Sequence, residues 1–96
     1  MSWKSLGKKI FEFWECYYRD RGLDFVMAGL VSDHLQRDPY FRVVVKHKTG
    51  IHEIHIALER KSDLDIQREV AEHFDRIIGL TEHEPGKSFV IRVSWP

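Results

Sequence analysis

Residues Tyr40 to Glu59, YFRVVVKHKTGIHEIHIALE, constrain the fold more than any other stretch. Two runs rich in β-branched residues flank Thr49-Gly50, and glycine supplies the positive φ that a tight turn needs. A β-hairpin is expected. With Lys48 opposite Ile51, Phe41, Val43, Val45 and His47 share one face with Leu58, Ile56, Ile54 and His52. The other face carries Tyr40, Arg42, Val44, Lys46 and Lys48 with Glu59, Ala57, His55, Glu53 and Ile51. Lys46 then falls across from Glu53, a favourable cross-strand pair. A three-residue loop would set Val45 against Glu53 and Val43 against His55, because a slip of one residue moves a whole set of side chains to the wrong side. The hairpin is therefore read with one core face, covered by helices, and one polar face.

Upstream, Ser2 to Arg21 reads as a first helix. At about 100° per residue, Trp3, Leu6, Ile10, Phe11, Phe13, Trp14, Tyr17 and Tyr18 fill an arc of roughly 160°. The lysines and acids take the remainder, and Gly22 is a natural left-handed stop. Leu23 to Gln36 is ambiguous. As a helix capped by Asp24 it gathers Leu23, Val26, Met27, Leu30, Val31 and His34 on one side. As a strand, DFVMAGLV is apolar on both faces, which only a buried strand tolerates. The helix is the preferred expectation, ended by Asp38-Pro39.

Beyond the hairpin, Ser62-Asp63-Leu64-Asp65 resembles a capping box with Asp in the Glu position. The helix it opens carries Ile66, Val70, Phe74, Ile77 and Ile78 as its apolar stripe and is expected to stop at Gly79. Ser88 to Trp95 alternates, with Phe89, Ile91, Val93 and Trp95 on one side, as in a half-buried strand. The fold class expected is a small α+β domain in the order α-α-β-β-α-β. Its sheet has three strands, antiparallel in the order 2-1-3, with helices packed on one face. The connection also permits the last strand to lie beside the second and parallel to it.

The 96 residues suit a single domain spanning 1–96. Hydrophobic residues at 43% and charged residues at 31% favour a folded globule over a disordered chain. The formal net charge of +0 removes any global basic bias of the kind that marks many nucleic-acid binders. The one cysteine, Cys16, excludes an internal disulfide and favours a reducing, cytoplasmic setting. It falls on the polar arc of the first helix, beside no identifiable base. No apolar run approaches the roughly 18–20 residues of a membrane span, and Glu12 and Glu15 interrupt any signal-peptide core.

Chemistry-bearing motifs are sparse. Gly86-Lys87-Ser88 ends like a phosphate-binding loop, but Thr81 stands where that loop needs glycine, and a strand follows where it needs a helix. No cofactor is therefore expected. His52-Glu53-Ile54-His55 lacks the helical i,i+4 spacing of a metalloprotease motif. His47 and His52, facing each other near the turn, would be a candidate pair for Zn²⁺, which takes three or four ligands. Arg42, Lys46, Lys48, His55 and Arg92 gather on the outer sheet face as a candidate nucleic-acid surface, poor in stacking aromatics. No catalytic constellation can be assembled, and the leading expectation is a non-enzymatic interaction or regulatory domain. Its contact would be with a protein partner or with itself, as a homodimer. Trp3, Phe11, Trp14 and Tyr18, on one edge of the first helix, would form that contact, since Trp and Tyr dominate interface hot spots. Burial of the whole aromatic arc is the competing expectation.

Overall fold

The computed structural model describes residues 3–33, 37–58 and 61–93, without the side chains of Trp3, Lys4, Asp33, Arg37 and Asp38. His34, Glu59 and Trp95, on which sequence expectations rested, lie outside the described residues. The elements are α1 (Trp3–Tyr17), a 3-10 turn (Arg19–Arg21), β1 (Asp24–Asp33), β2 (Arg37–His47), β3 (Gly50–Ala57), α2 (Asp63–His83) and β4 (Val90–Val93). This is a small α+β fold with two helices and a four-stranded mixed sheet.

Two expectations are corrected. The segment read as a second helix is strand β1, so the order is α-β-β-β-α-β. The sheet has four strands in the order β1-β2-β3-β4 rather than three in the order 2-1-3. One cause underlies both. β1 pairs antiparallel with β2 and occupies the position that the 2-1-3 arrangement gives to the last strand. The open side of β3 is left, and β4 takes it in parallel, with α2 as the crossover.

The hairpin of β2 and β3 has the expected faces but a different register. His47 pairs with Gly50, Val45 with His52 and Val43 with Ile54, so every partner lies two residues from its expected place. Lys46 meets Ile51, not Glu53. The turn is Lys48-Thr49, both in the left-handed region at φ 51° and 65°, as a two-residue primed turn requires. Gly50 serves a different purpose. A Cβ there would sit 2.6 Å from the Lys87 carbonyl oxygen and 2.8 Å from Cε1 of His52. Glycine is needed for close approach of the segment leading into β4, and the turn is left to residues with side chains.

Both helices cover one face of the sheet. Leu6, Ile10 and Trp14 of α1, Phe41, Val43 and Val45 of β2, Ile54 and Ile56 of β3 and Ile66, Val70, Phe74 and Ile77 of α2 form one buried cluster. Gly7 of α1 faces Ala28 of β1, where even a Cβ would make only ordinary contact, 3.9 Å from the Ala28 carbonyl oxygen. Gly22, at φ 82°, turns the chain from the 3-10 segment into β1.

α2 begins with the expected capping box. The Ser62 hydroxyl accepts the Asp65 N–H at 3.2 Å, and the Asp65 carboxylate accepts the Ser62 N–H at 3.3 Å. The Ser62 hydroxyl, which also donates to the Asp65 carboxylate at 2.9 Å, and then the Ser62 N–H hold that carboxyl below its ordinary value. The helix passes through Gly79, its expected end, and runs to His83. Gly79 faces open space, whereas Thr81 is buried and donates its hydroxyl to the carbonyls of Ile77 at 2.9 Å and Ile78 at 3.1 Å. Burial of Thr81, whose hydroxyl also bonds the His47 ring of β2, thus outweighs the modest helix penalty of one glycine. Ser62→Ala is expected to cost about 1 kcal/mol, lowering the melting temperature by about 4–8 °C. An unchanged thermal melt would show that the cap adds nothing.

Candidate functional site

β1 carries the most unusual surface. Between Asp24 and Asp33 it holds no charged residue. A strand apolar on both faces belongs inside a sheet, yet β1 is an edge, with no strand on its far side among the described residues. Val26 is 56% exposed, and Met27 and Leu30 are each 41% exposed. The protection usual for an edge is slight. There is no Lys or Pro, only breaks in register between Phe25 and Met27, which leaves Val26 unpaired, and between Val31 and Asp33.

α1 lies beside this edge and adds one aromatic to it. Phe11, 41% exposed, sits edge-on to Phe25 with ring centroids 5.6 Å apart and also touches Trp14 at 5.3 Å. Of the four aromatics expected to form a contact surface, Phe11 alone is an exposed side chain; that of Trp3 is outside the described residues. Trp14 is buried and donates its indole N–H to the Leu23 carbonyl. Tyr18 is also buried, and its hydroxyl donates to the Ala71 carbonyl at 3.2 Å. Burial, with the neighbouring Asp75 carboxylate adding to it, pushes the Tyr18 phenol up to about 12. These two rings anchor α1 to the core, and the exposed surface passes to Val26, Met27 and Leu30. Those three were missed because the segment was read as a helix. The signal was present in the run DFVMAGLV, apolar on both faces.

The outer sheet face is open, but its basic residues are not all free. Nε2 of His55 donates to the Glu53 carboxylate at 3.1 Å, and Nη1 of Arg42 approaches the same oxygen at 3.7 Å. His55 is itself buried, under a Tyr40 ring 4.7 Å away. Lys46, Lys48 and Arg92 remain exposed. Arg42, Lys46, His55 and Arg92 thus share the outer face, Lys48 lies in the turn, and Glu53 engages two of the five.

His47 and His52 are buried on the core face. The Phe89 N–H donates to Nδ1 of His52 at 3.2 Å, and Nε2 of His52 donates to the His47 carbonyl at 3.2 Å. Both ring nitrogens of His52 are therefore spent on backbone, tying β4 to the hairpin. Nδ1 of His47 bonds Thr81 of α2. No group of three or more His, Cys, Asp or Glu side chains placed to share a metal ion occurs among the described residues. Cys16 is exposed. No helix among the described residues is long and apolar enough to cross a membrane. No protein-family model matches the chain, and no curated protein or solved structure is significantly similar to it.

Burial holds the His47 imidazole below its ordinary value of 6.5; Lys48 and His52 push the same way, while Arg21 and Glu82 oppose. Burial also lowers His73 on α2, with Arg76 adding to it. As pH falls below about 6.5, the unfolded chain takes up protons that these folded rings resist. Stability should therefore decline from about pH 6.5 downward until the folded rings titrate. Thermal melts at pH 7.5 and 5.5 are expected to show a lower melting temperature at the acid value, and His47→Gln should shrink that difference. A melting temperature that rises on acidification would reverse the assigned sign.

Proposed function

We propose that this chain is a non-enzymatic protein-interaction domain of an accessory or regulatory kind, which self-associates through the flank formed by β1 and the Phe11 side of α1. One observation carries the reading: β1 is as apolar as an interior strand but lies at the sheet edge. Exposed apolar surface of this kind marks interaction sites, and an uncharged edge left open invites uncontrolled pairing. A second copy related by two-fold symmetry would present the same strip to itself. Val26, Leu30 and Phe11 would then meet apolar neighbours, and the Arg42 guanidinium, 3.5 Å from the Met27 sulfur, lies on the outer-face side of the strip.

The part of α1 that takes part is narrower than its whole aromatic arc. Trp14 and Tyr18 support the contact from within by fixing the helix, and Phe11 meets the partner. Nucleic-acid binding on the outer face is the less favoured reading, because Glu53 engages Arg42 and His55.

The double substitution Val26→Lys with Leu30→Lys tests the proposal. Both side chains are exposed, so the fold should persist, monitored by far-ultraviolet circular dichroism. Sedimentation equilibrium is expected to show a dimer for the native chain, and a dissociation constant raised about 30-fold or more, about 2 kcal/mol, for the variant. A native chain that stays monomeric at high concentration, or a variant that associates equally well, would refute self-association here.

A further inference from the structure

The opposite edge of the sheet has a different chemistry. A crevice of about 290 Å³ lies between α2 and β4, lined by Arg76, Leu80, Phe89, Val90, Ile91 and Arg92. β4 is its wall, and no strand lies beyond β4 among the described residues. The direction of its backbone groups follows from one bond. The Glu53 N–H donates to the Phe89 carbonyl at 2.9 Å. In a parallel ladder alternate residues face the neighbouring strand, so Phe89 and Ile91 turn toward β3 while Val90 and Arg92 turn outward. The outward pair offers both N–H donors and C=O acceptors along the crevice.

Two arginines flank this edge from opposite faces of the sheet, Arg76 from α2 on the covered face and Arg92, beside His55, on the outer face. Neither joins any of the ion pairs formed among the described residues. Glu72, one turn before Arg76 on α2, joins none of these ion pairs, while two other acids nearby in sequence are committed elsewhere. Asp75 pairs with Arg21 at 3.0 Å, and Glu84 pairs with Lys87 at 3.3 Å. Leu80 and Ile91 supply an apolar floor.

We propose that this crevice binds an extended, carboxylate-bearing segment of a partner protein as an added fifth strand. The edge selects a polypeptide, because its carbonyls need N–H donors that a phosphate backbone lacks. Charge complementarity selects the side chains: successive residues of an added strand point to opposite faces, so adjacent carboxylates would reach Arg92 on the outer face and Arg76 on the covered face, and each arginine can bind its carboxylate bidentately. The remaining side chains would pack on Leu80 and Ile91. This site is separate from the β1 flank and does not depend on self-association there.

The test is a titration of the ¹⁵N-labelled full chain with a capped peptide in which pairs of adjacent valines alternate with pairs of adjacent glutamates, followed by amide chemical shifts. A peptide with lysine in place of glutamate and a single-stranded RNA oligomer serve as comparisons. The expected result is saturable movement of the Val90, Arg92 and Leu80 resonances with the glutamate peptide alone. Arg76→Gln combined with Arg92→Gln, at exposed positions, should weaken that binding about tenfold or more while the spectrum stays dispersed. Equal binding of the lysine peptide, the same shifts with RNA, shifts at β1 instead of β4, or no shift at any soluble peptide concentration would each overturn the proposal.

Discussion

A four-stranded sheet covered on one face only is the constraint from which the rest of this molecule follows. The inward side chains of β2 and β3 are buried beneath α1 and α2 in a single apolar cluster. Burial of that kind is worth roughly 25 cal/mol for each Å² of apolar surface removed from water. It fixes which way every residue of the hairpin points. It also fixes what is left over: an open outer face and two strand edges. The edges differ in chemistry because the sequence of β1 carries no charge between its terminal aspartates, whereas β4 presents Arg92 and faces Arg76 across a crevice. Two separate contacts, one apolar and one cationic, are therefore compatible within a domain of this size.

The joint between the hairpin and β4 depends on a glycine and a histidine. Gly50 lets the segment before β4 come closer than any Cβ would allow. The space beside it is filled by the His52 ring, which bonds the His47 carbonyl on one side and the Phe89 amide on the other. The Phe89 ring stacks on His52 at 5.5 Å. These contacts explain why two buried histidines are tolerated in an otherwise apolar region: their polar atoms are paired. They also give His52 a structural task that competes with metal binding.

Much of this was legible in the sequence. Period-two alternation told the hairpin faces apart, and it continues to hold because a register shift of two residues leaves each side chain on its own face. The register itself was not legible. It depends on Gly50 being needed against Lys87 and His52, a contact between residues distant in sequence. The capping box at Ser62 was readable because it is local, whereas the far end of α2 was not, because Thr81 holds it through His47. β1 was misread for a reason that bears on function. Local pattern suits either a helix or an interior strand, and an apolar strand at an edge is consistent with its surroundings only when something covers it. The burial of Trp14 and Tyr18 was one of two arrangements the aromatic arc allowed, and contacts distant in sequence decide between them, Leu23 and Phe25 for Trp14 and Ala71 and Phe74 of α2 for Tyr18.

The most direct measurement is an isotope-filtered NOE experiment on a mixture of ¹³C-labelled and unlabelled chains. It reports only contacts between different copies. Cross-peaks joining the Phe11 ring of one copy to the Leu30 or Val26 methyl groups of another are the expected result. An empty filtered spectrum at high protein concentration would contradict the account, as would cross-peaks that arise instead from Ile51 and Val90 on the outer face.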